Sequence, residues 1–354
     1  MLRYSLDWKK HKEFRPSQND YKIKVSVVVV ARNEAKNIEK CLASIAAQNY
    51  PKHLFEIILA DDQSNDNTVD LAKNLGIEQL TIVQNPTLIG KKQLLAFAIS
   101  AAKGELIVCT DADCWVPVNW IEFIVAIYIE RKAKFIAAPV LFEDNKTLFE
   151  QFQALDFLGM MAITAAGISG KYLYMCNGAN LAYPKAVFEE LGGFEGIDSK
   201  ASGDDMLLMQ KIAIKYPIDI VYLKNPKAAV CTKAQESVFV FWQQRLRWAS
   251  KSGDYPQRSA IFQLALVWTF ILSILICLSI AFFEPYLLIV FAFMVMLKMI
   301  ADFILLKSAA SYFSKKHLLN IFLPAVFLHW FYILSVGFMS LFKKKYDWKG
   351  RRWS

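Results

Sequence analysis

From Ala260 to Phe342 the chain is almost entirely apolar. A soluble core has no use for so long a run, whereas a bilayer needs about 20 apolar residues per crossing. Three candidate spans fit, roughly 260–283, 286–306 and 318–342. Glu284-Pro285 makes the first break and "KSAASYFSKKH" the second, and Pro324 interrupts the last segment. Lys298 and Asp302 are four residues apart in the middle span, one turn on the same helix face, which suits an ion pair used for packing or along a lipid path. Three crossings would place the basic tail "KKKYDWKGRR" opposite the domain preceding them, against the positive-inside tendency, unless one segment is re-entrant or interfacial.

The residues before this region read differently. Lys24 to Val30 is a nearly unbroken β-branched run, as in a strand covered on both faces. "FEIILA", "QLTIV" and "ELIVCT" repeat that character, and helical stretches separate them, one stopping before Pro51, one spanning Val69 to Leu75 and one running from Gly90 to Ala102. Gly76 is the expected C′ residue of the second, and Gly104 follows the third. Alternating strand and helix predict an α/β, doubly wound, mostly parallel sheet. Ligands of such sheets bind beyond the carboxyl ends of the strands, and three polar clusters fall there: Asn33-Glu34, Asp61-Asp62 and Asp111-Asp113.

Further on, a helix is expected from Pro117 to about Arg131 and a strand at "FIAAPV". "LFEQFQALDFLGMMAITAAGISG" reads as a long helix whose polar residues, Asp156 among them, favour packing over spanning. A helix stopped by Gly192-Gly193, a second with Ser202 as N-cap, the strand "IDIVYL" and the amphipathic helix "SVFVFWQQRLRWASKS" complete the domain. The predicted divisions are a basic amphipathic arm over 1–22, a domain over 23–250 ending in an interfacial helix at 235–250, a membrane region over 259–342, and a tail over 343–354. No secretory leader is apparent in the first 22 residues. Six cysteines without a C-x-x-C pair read as reduced thiols. The formal net charge of +9 suits anionic partners, a nucleotide or a phospholipid surface. Nucleic acid is not expected, because the basic residues are not interleaved with aromatics on one soluble face.

Two carboxylates at i and i+2, as in Asp111-Ala-Asp113, repel each other unless a cation lies between them. Without clustered His or Cys, that cation is a hard divalent ion, Mg²⁺ or Mn²⁺. Such an ion completes its shell with water and phosphate, and Lys91-Lys92 at a helix start suit a diphosphate. Alone, a D-x-D is a common solvated turn.

Taken together, "VSVVVVARNEAKNIEKCLASI", "ILADDQSNDNT", "GKKQLLAFA", "TDADCWVP", "GANLAYPKAVFEELGGF", "SGDDMLLMQKI" and "QQRLRW" follow the order found in the family 2 glycosyltransferases. The chain resembles the membrane-bound members of that family over about residues 24–250. The resemblance implies a GT-A fold and an inverting transfer of sugar from a nucleotide-diphosphate donor, with a UDP-sugar favoured. It implies nucleotide-sugar contacts at Ala31, Asn33, Glu34, Asp61, Asp62, Lys91, Asp111 and Asp113, with Asp113 as metal ligand. Where the family commonly has Asn five residues after the lysine, Ala96 stands here, so no role is carried to it.

Asn177, Gly178, Ala179 and Asn180 resemble the acceptor-side loop, and Gln244, Arg247 and Trp248 the Q-x-x-R-W motif, serving acceptor and diphosphate. Asp204-Asp205 aligns with the family's Glu-Asp pair; Asp205 would be the general base, and Asp204 is one methylene shorter than the usual Glu. The expected partners are a nucleotide-sugar donor, a lipid, lipid-linked or glycan acceptor, and membrane lipids. The expected location is the cell membrane, multi-pass, with the catalytic domain facing the cytoplasm. Two alternatives stand beside this reading: a nucleotidyltransferase on a similar sheet, and a non-catalytic nucleotide-binding membrane scaffold.

Overall fold

The β-branched run forms β1 (Val25–Ala31), with Val27, Val28 and Val29 essentially inaccessible to solvent. Burying each such side chain contributes roughly 1.5–3 kcal/mol. A computed structural model describes residues 1–17, 21–143, 146–197, 203–250, 255–342, 346–348 and 351–353. They divide into two compact units: Lys12–Glu143 with Tyr174–Lys233 and Trp348–Ser354, and Met1–His11 with Asp144–Leu173 and Ala234–Asp347.

In the first unit β2 (Phe55–Asp61), β3 (Leu80–Gln84) and β4 (Leu106–Asp111) lie parallel to β1, in the order β3-β2-β1-β4. The intervening helices are α2 (Ile38–Ala46), α3 (Thr68–Asn74) and α4 (Lys91–Ala101). Gly76, just beyond α3, has φ 60°, the left-handed geometry expected at C′. Gly104 is needed for space. A Cβ there would stand 2.4 Å from the backbone nitrogen of Ser26, and the Gly104 N–H donates to Ser26 Oγ at 2.8 Å.

Beyond β4 the sheet turns antiparallel at β8 (Leu181–Pro184) and continues through β6 (Phe135–Ala137) to β9 (Ile220–Tyr222). The strand expected over "FIAAPV" is two strands in different sheets. Pro139 has no N–H for a ladder, and after it the chain leaves as β7 (Val140–Phe142). β7 pairs with β10 (Val230–Thr232), which pairs with β5 (Cys114–Trp115), a second three-stranded sheet that periodicity does not reveal. α5 (Trp120–Arg131), α7 (Lys185–Glu190) and α8 (Asp204–Lys215) complete the unit. Ser202, the expected cap of α8, lies outside the described residues; the N-cap position is Gly203, with φ 88°.

In the second unit the amino-terminal arm contains α1 (Leu2–Lys10), which buries Ser5 and Trp8. α6 (Leu148–Ser169) opens on a capping box: Glu150 N–H donates to Thr147 Oγ1, and Glu150 accepts from Thr147 N–H. α9 (Val238–Ala249) follows, then α10 (Arg258–Ala281), α11 (Leu287–Tyr312) and α12 (Phe322–Phe342). α11 runs six residues past its predicted end because α1 packs there. Trp8 Nε1 donates to Ser308 Oγ at 3.1 Å, and its ring meets Tyr312 edge-on.

Among the described residues, four helical stretches are long and apolar enough to cross a membrane: α6, α10, α11 and Lys316–Ser340. The apolar window of α6 is 72% buried within the protein, against 17% for α10 and for α11. Lys298 and Asp302 pair directly and both are buried. All six cysteines carry free thiols.

Candidate active site

Strand register brings the predicted polar clusters to one edge. Ala31 pairs with Asp61, and Val30 with Asp111, so β1, β2 and β4 end level and their loops begin together. The first two loops are then stitched to each other. Asn33, at φ 52°, donates its N–H to Ser64 Oγ at 2.9 Å and accepts at Oδ1 from Asn65 N–H at 2.9 Å. Asn tolerates that left-handed backbone better than most residues. Glu34 N–H donates to Thr68 Oγ1 at 2.7 Å, and its carboxylate accepts from Asn37 Nδ2 at 2.9 Å. Asp61 and Asp62 are both buried. Asp61 accepts from Ser64 N–H and from Gln84 Nε2, the latter at 2.9 Å, which makes it a turn anchor. Asp62 accepts at Oδ1 from Gly90 N–H at 3.2 Å and so holds the residue that starts α4.

Gly90 has φ 94°, which L side chains adopt at a cost, and it aims the next residue into the site. Lys91 Nζ lies 2.6 Å from Asp111 Oδ1 and 3.8 Å from Asp204 Oδ2. Burial alone would lower the Lys91 pKa. The carboxylates of Asp111, Asp204 and Asp205 outweigh burial and hold it well above the ordinary lysine value. Asp204 and Asp205 occupy the first turn of α8, where the helix dipole favours negative charge. Asp205 accepts at Oδ2 from Gly178 N–H at 2.9 Å and at Oδ1 from Met206 N–H at 2.8 Å. A Cβ on Gly178 would stand 3.3 Å from both Asp205 Oδ2 and Lys91 Nζ. A narrow pocket is lined here by Val28, Val30, Lys91, Gly178, Asp204 and Asp205.

One ammonium among Asp111, Asp204 and Asp205 leaves negative charge in excess, and Asp113 adds to it. Ligand atoms of Asp111, Asp113 and Cys114 lie within 4.8 Å of one another. Burial, followed by the charges of Asp113 and Asp111, pushes the Cys114 thiol far up, so it stays protonated. Its Sγ donates to Asp113 Oδ1 at 3.4 Å. The usable donors are therefore carboxylate oxygens, and a hard divalent cation such as Mg²⁺ or Mn²⁺ fits them. Burial likewise drives the thiol of Cys109 up to about 12 and that of Cys176 well above its ordinary value, which leaves neither as a thiolate nucleophile.

The Asn177–Asn180 loop divides its labour. Asn177 Oδ1 accepts from Ala179 N–H at 2.9 Å, a local turn. Asn180 is wholly buried; its Nδ2 donates to the carbonyls of Pro139 and Ala228, and its Oδ1 accepts from Trp120 Nε1 at 2.9 Å. Asn180 is thus a strut, and Gly178 is the residue in contact with the acids.

Gln244, Arg247 and Trp248 lie on α9 in the other unit, each half-buried. Arg245, which the motif pattern passes over, is the buried arginine, and it is ion-paired with Asp156 at 2.8 Å. Trp248 carries the Arg245 guanidinium on its ring face, 4.6 Å from the centroid, and packs on Phe157. The signal available in sequence was an isolated Asp inside an apolar helix and an extra Arg beside the motif.

A mostly parallel sheet with an antiparallel excursion, acids at its strand ends and apolar helices after it, defines a GT-A domain attached to a membrane-type helical region. PcManGT, a mannosyltransferase of Pyrobaculum calidifontis solved with GDP-Man and Mn²⁺, shares this fold: the TM-score is 0.60 at 20% identity, over 96% of this chain and 94% of that one. Residues 26–192 match the model of Glycosyl transferase family 2. The probable glycosyltransferase YdaM of Bacillus subtilis (strain 168) is 26% identical over 240 residues, 64% of this chain and 54% of that protein. The β-monoglucosyldiacylglycerol synthase of Trichormus variabilis is 24% identical over 243 residues, 66% of this chain and 49% of that protein. The chain thus spans about half the length of these two relatives.

Proposed function

We propose that this chain is a membrane-anchored, metal-dependent glycosyltransferase that moves a hexosyl or N-acetylhexosaminyl group from a nucleotide-diphosphate sugar, a UDP-sugar by preference, to a lipid, lipid-linked or glycan acceptor, inverting the anomeric centre. The observation that carries the reading is Lys91, which ties the Asp111 end of the sheet to the Asp204-Asp205 start of α8. It draws the donor-side acids and the acceptor-side acids around one cation.

In a single displacement the acceptor oxygen attacks the anomeric carbon while the bond from that carbon to the phosphate oxygen breaks. The electron pair leaves with the diphosphate. Asp205 takes the acceptor proton, a role its pocket position and its neighbour Asp204 suit. Asp205 already accepts from Gly178 and Met206 N–H, which fixes the carboxylate's orientation before substrate arrives. Lys91 and the N-terminal end of α4 would meet the diphosphate. Asp111 and Asp113 would hold the divalent ion, which when bound offsets charge on the departing diphosphate. Asn33, Glu34, Asp61 and Asp62 would shape the base and ribose end. Gln244, Arg247 and Trp248 would serve the diphosphate and acceptor, a role resting on the motif alone.

An acceptor with a lipid part is supported by α10 and α11, whose outward apolar faces suit a bilayer. The same helices support a multi-pass location in the cell membrane, with the α/β unit on the cytoplasmic side where nucleotide sugars are made. The test is a donor screen on the full chain in liposomes, reading released nucleoside diphosphate and pyrophosphate separately, with and without Mn²⁺. Mn²⁺-dependent release of UDP or GDP supports the reading. Release of pyrophosphate, or nucleotide binding with no turnover under any donor and lipid acceptor, refutes it.

A further inference from the structure

Asp156 sits midway along α6 with its side chain 2% exposed, inside the second unit. Donors from two other helices converge on it. Arg245 NH2, on α9, lies 2.8 Å from Oδ2. On α12, His329 Nδ1 lies 2.7 Å from Oδ1 and Tyr332 OH donates to that same oxygen at 2.8 Å. A carboxylate only accepts, so His329 Nδ1 carries its proton. A buried ion pair is a weak device for stability, because apolar side chains of similar volume hold helices together as well. Its distinctive property is direction: a guanidinium has to face its carboxylate.

That direction matters on α9. Successive residues of an α-helix are turned by about 100°, so pointing Arg245 at α6 sends Arg247 roughly 200° around the helix, to the other side. Trp248 comes back to within about 60° of Arg245, consistent with its ring lying under the guanidinium. Phe241, one turn before, lies under it as well at 4.7 Å, and NH1 faces Met160 Sδ at 3.2 Å. Arg245 is therefore held from three sides, and rolling α9 would pull its guanidinium away from these contacts.

We infer that Asp156 is a positioning residue: through Arg245 it sets the rotation of α9 and hence the direction of Gln244 and Arg247. The inference rests on the proposed role of those two residues in glycosyl transfer.

The full chain, in liposomes of phosphatidylethanolamine and phosphatidylglycerol, is compared as wild type, Asp156→Asn, Arg245→Lys, and the double variant Asp156→Asn with Arg245→Gln. Three quantities are read: tryptic cleavage after Arg247, the Kd for UDP with Mn²⁺, and UDP release from UDP-glucose and UDP-N-acetylglucosamine. Expected are cleavage about tenfold faster, a UDP Kd raised severalfold as Arg247 turns away from the diphosphate, and UDP release down at least tenfold. Arg245→Lys keeps the charge and loses the planar fork, so a role limited to neutralising Asp156 would leave it active; positioning predicts the same loss as in Asp156→Asn. The double variant removes both charges and keeps the fold from carrying an unpaired one. A folded double variant with wild-type resistance to trypsin and wild-type turnover overturns the inference. Wild-type protein that releases UDP from no donor overturns the glycosyl-transfer reading instead, and the cleavage rates then decide by themselves whether Asp156 orients α9.

Discussion

Lys91 Nζ lies 2.6 Å from Asp111 Oδ1 and 3.8 Å from Asp204 Oδ2, so a single ammonium joins the end of β4 to the start of α8. Its removal would leave three acids without their common counter-charge and a diphosphate without a cation. Lys91→Met is expected to lower kcat/KM by at least a hundredfold, about 2.7 kcal/mol of transition-state stabilisation. UDP affinity should fall with it. Steady-state kinetics with a UDP binding titration checks both, and a Lys91→Met protein with unchanged UDP affinity would remove Lys91 from the donor site.

Gly178 lets backbone approach the acids. Gly178→Ala would put a methyl carbon 3.3 Å from both Asp205 Oδ2 and Lys91 Nζ, closer than ordinary van der Waals contact, and one of them has to move. Turnover is expected to fall about tenfold, near 1.4 kcal/mol, with thermal stability little changed. Kinetics beside a melting curve separates this from misfolding.

Asp113 is exposed, whereas Asp111 is already engaged by Lys91. Asp113→Ala is therefore expected to weaken Mn²⁺ binding at least tenfold while preserving the Lys91–Asp111 pair. Free Mn²⁺ measured by electron paramagnetic resonance during a titration gives the affinity without any turnover. Chelation of divalent ions should abolish UDP release by the wild-type protein.

The parallel half of the sheet was readable because Val27 to Val29 and Ile57 to Leu59 are buried on both faces and leave no polar alternation to misread. The strand-end acids were readable for the same reason: a run that stops at Asp61 or Asp111 announces its own end. Other features depended on partners far along the chain. β5 and β10 have two and three residues, too few for any period, and exist because each finds the other across more than a hundred positions. Asp61 is legible as a strand-end acid, but its bonds from Ser64 N–H and Gln84 Nε2, which anchor the turn, are not. Between two arginines of "QQRLRW", only the place of Asp156 on α6 decides which one is buried. Local pattern carries strand and helix; it carries no pairwise distance.

Gly104 offers a test of packing with no bearing on chemistry. Its missing Cβ is what lets the end of the α4 connection lie against β1, since Gly104→Ala would bring a carbon 2.4 Å from Ser26 N and 2.6 Å from Val25 C. Backbone rather than a flexible tip is in the way, so the strand itself has to shift. A loss of about 3 kcal/mol is expected, at the upper end of overpacking costs. Chemical denaturation of wild type and variant under the same lipid conditions measures it.

Asp66 makes a pH-dependent contribution whose sign is fixed by its neighbours. Burial, slight here, would raise its pKa, but hydrogen bonds from the Thr68 hydroxyl, the Ala35 N–H at 3.1 Å and the Thr68 N–H at 3.0 Å hold it below the ordinary carboxylate value. The folded protein therefore prefers the ionised form more strongly than the unfolded chain does. The contribution is present in full above the unfolded carboxylate pKa, near 4, and is lost as pH falls through the lower folded value. Because Asp66 is exposed, solvent screening keeps it small, about 1 kcal/mol or less, the size of a helix cap. Asp66→Ala should consequently destabilise the protein at pH 7, and by progressively less as pH falls and the carboxyl becomes protonated in folded and unfolded chains alike. Melting temperatures of the pair, recorded from neutral pH down to about 3, should converge; parallel curves would show that Asp66 acts through packing and not through its charge.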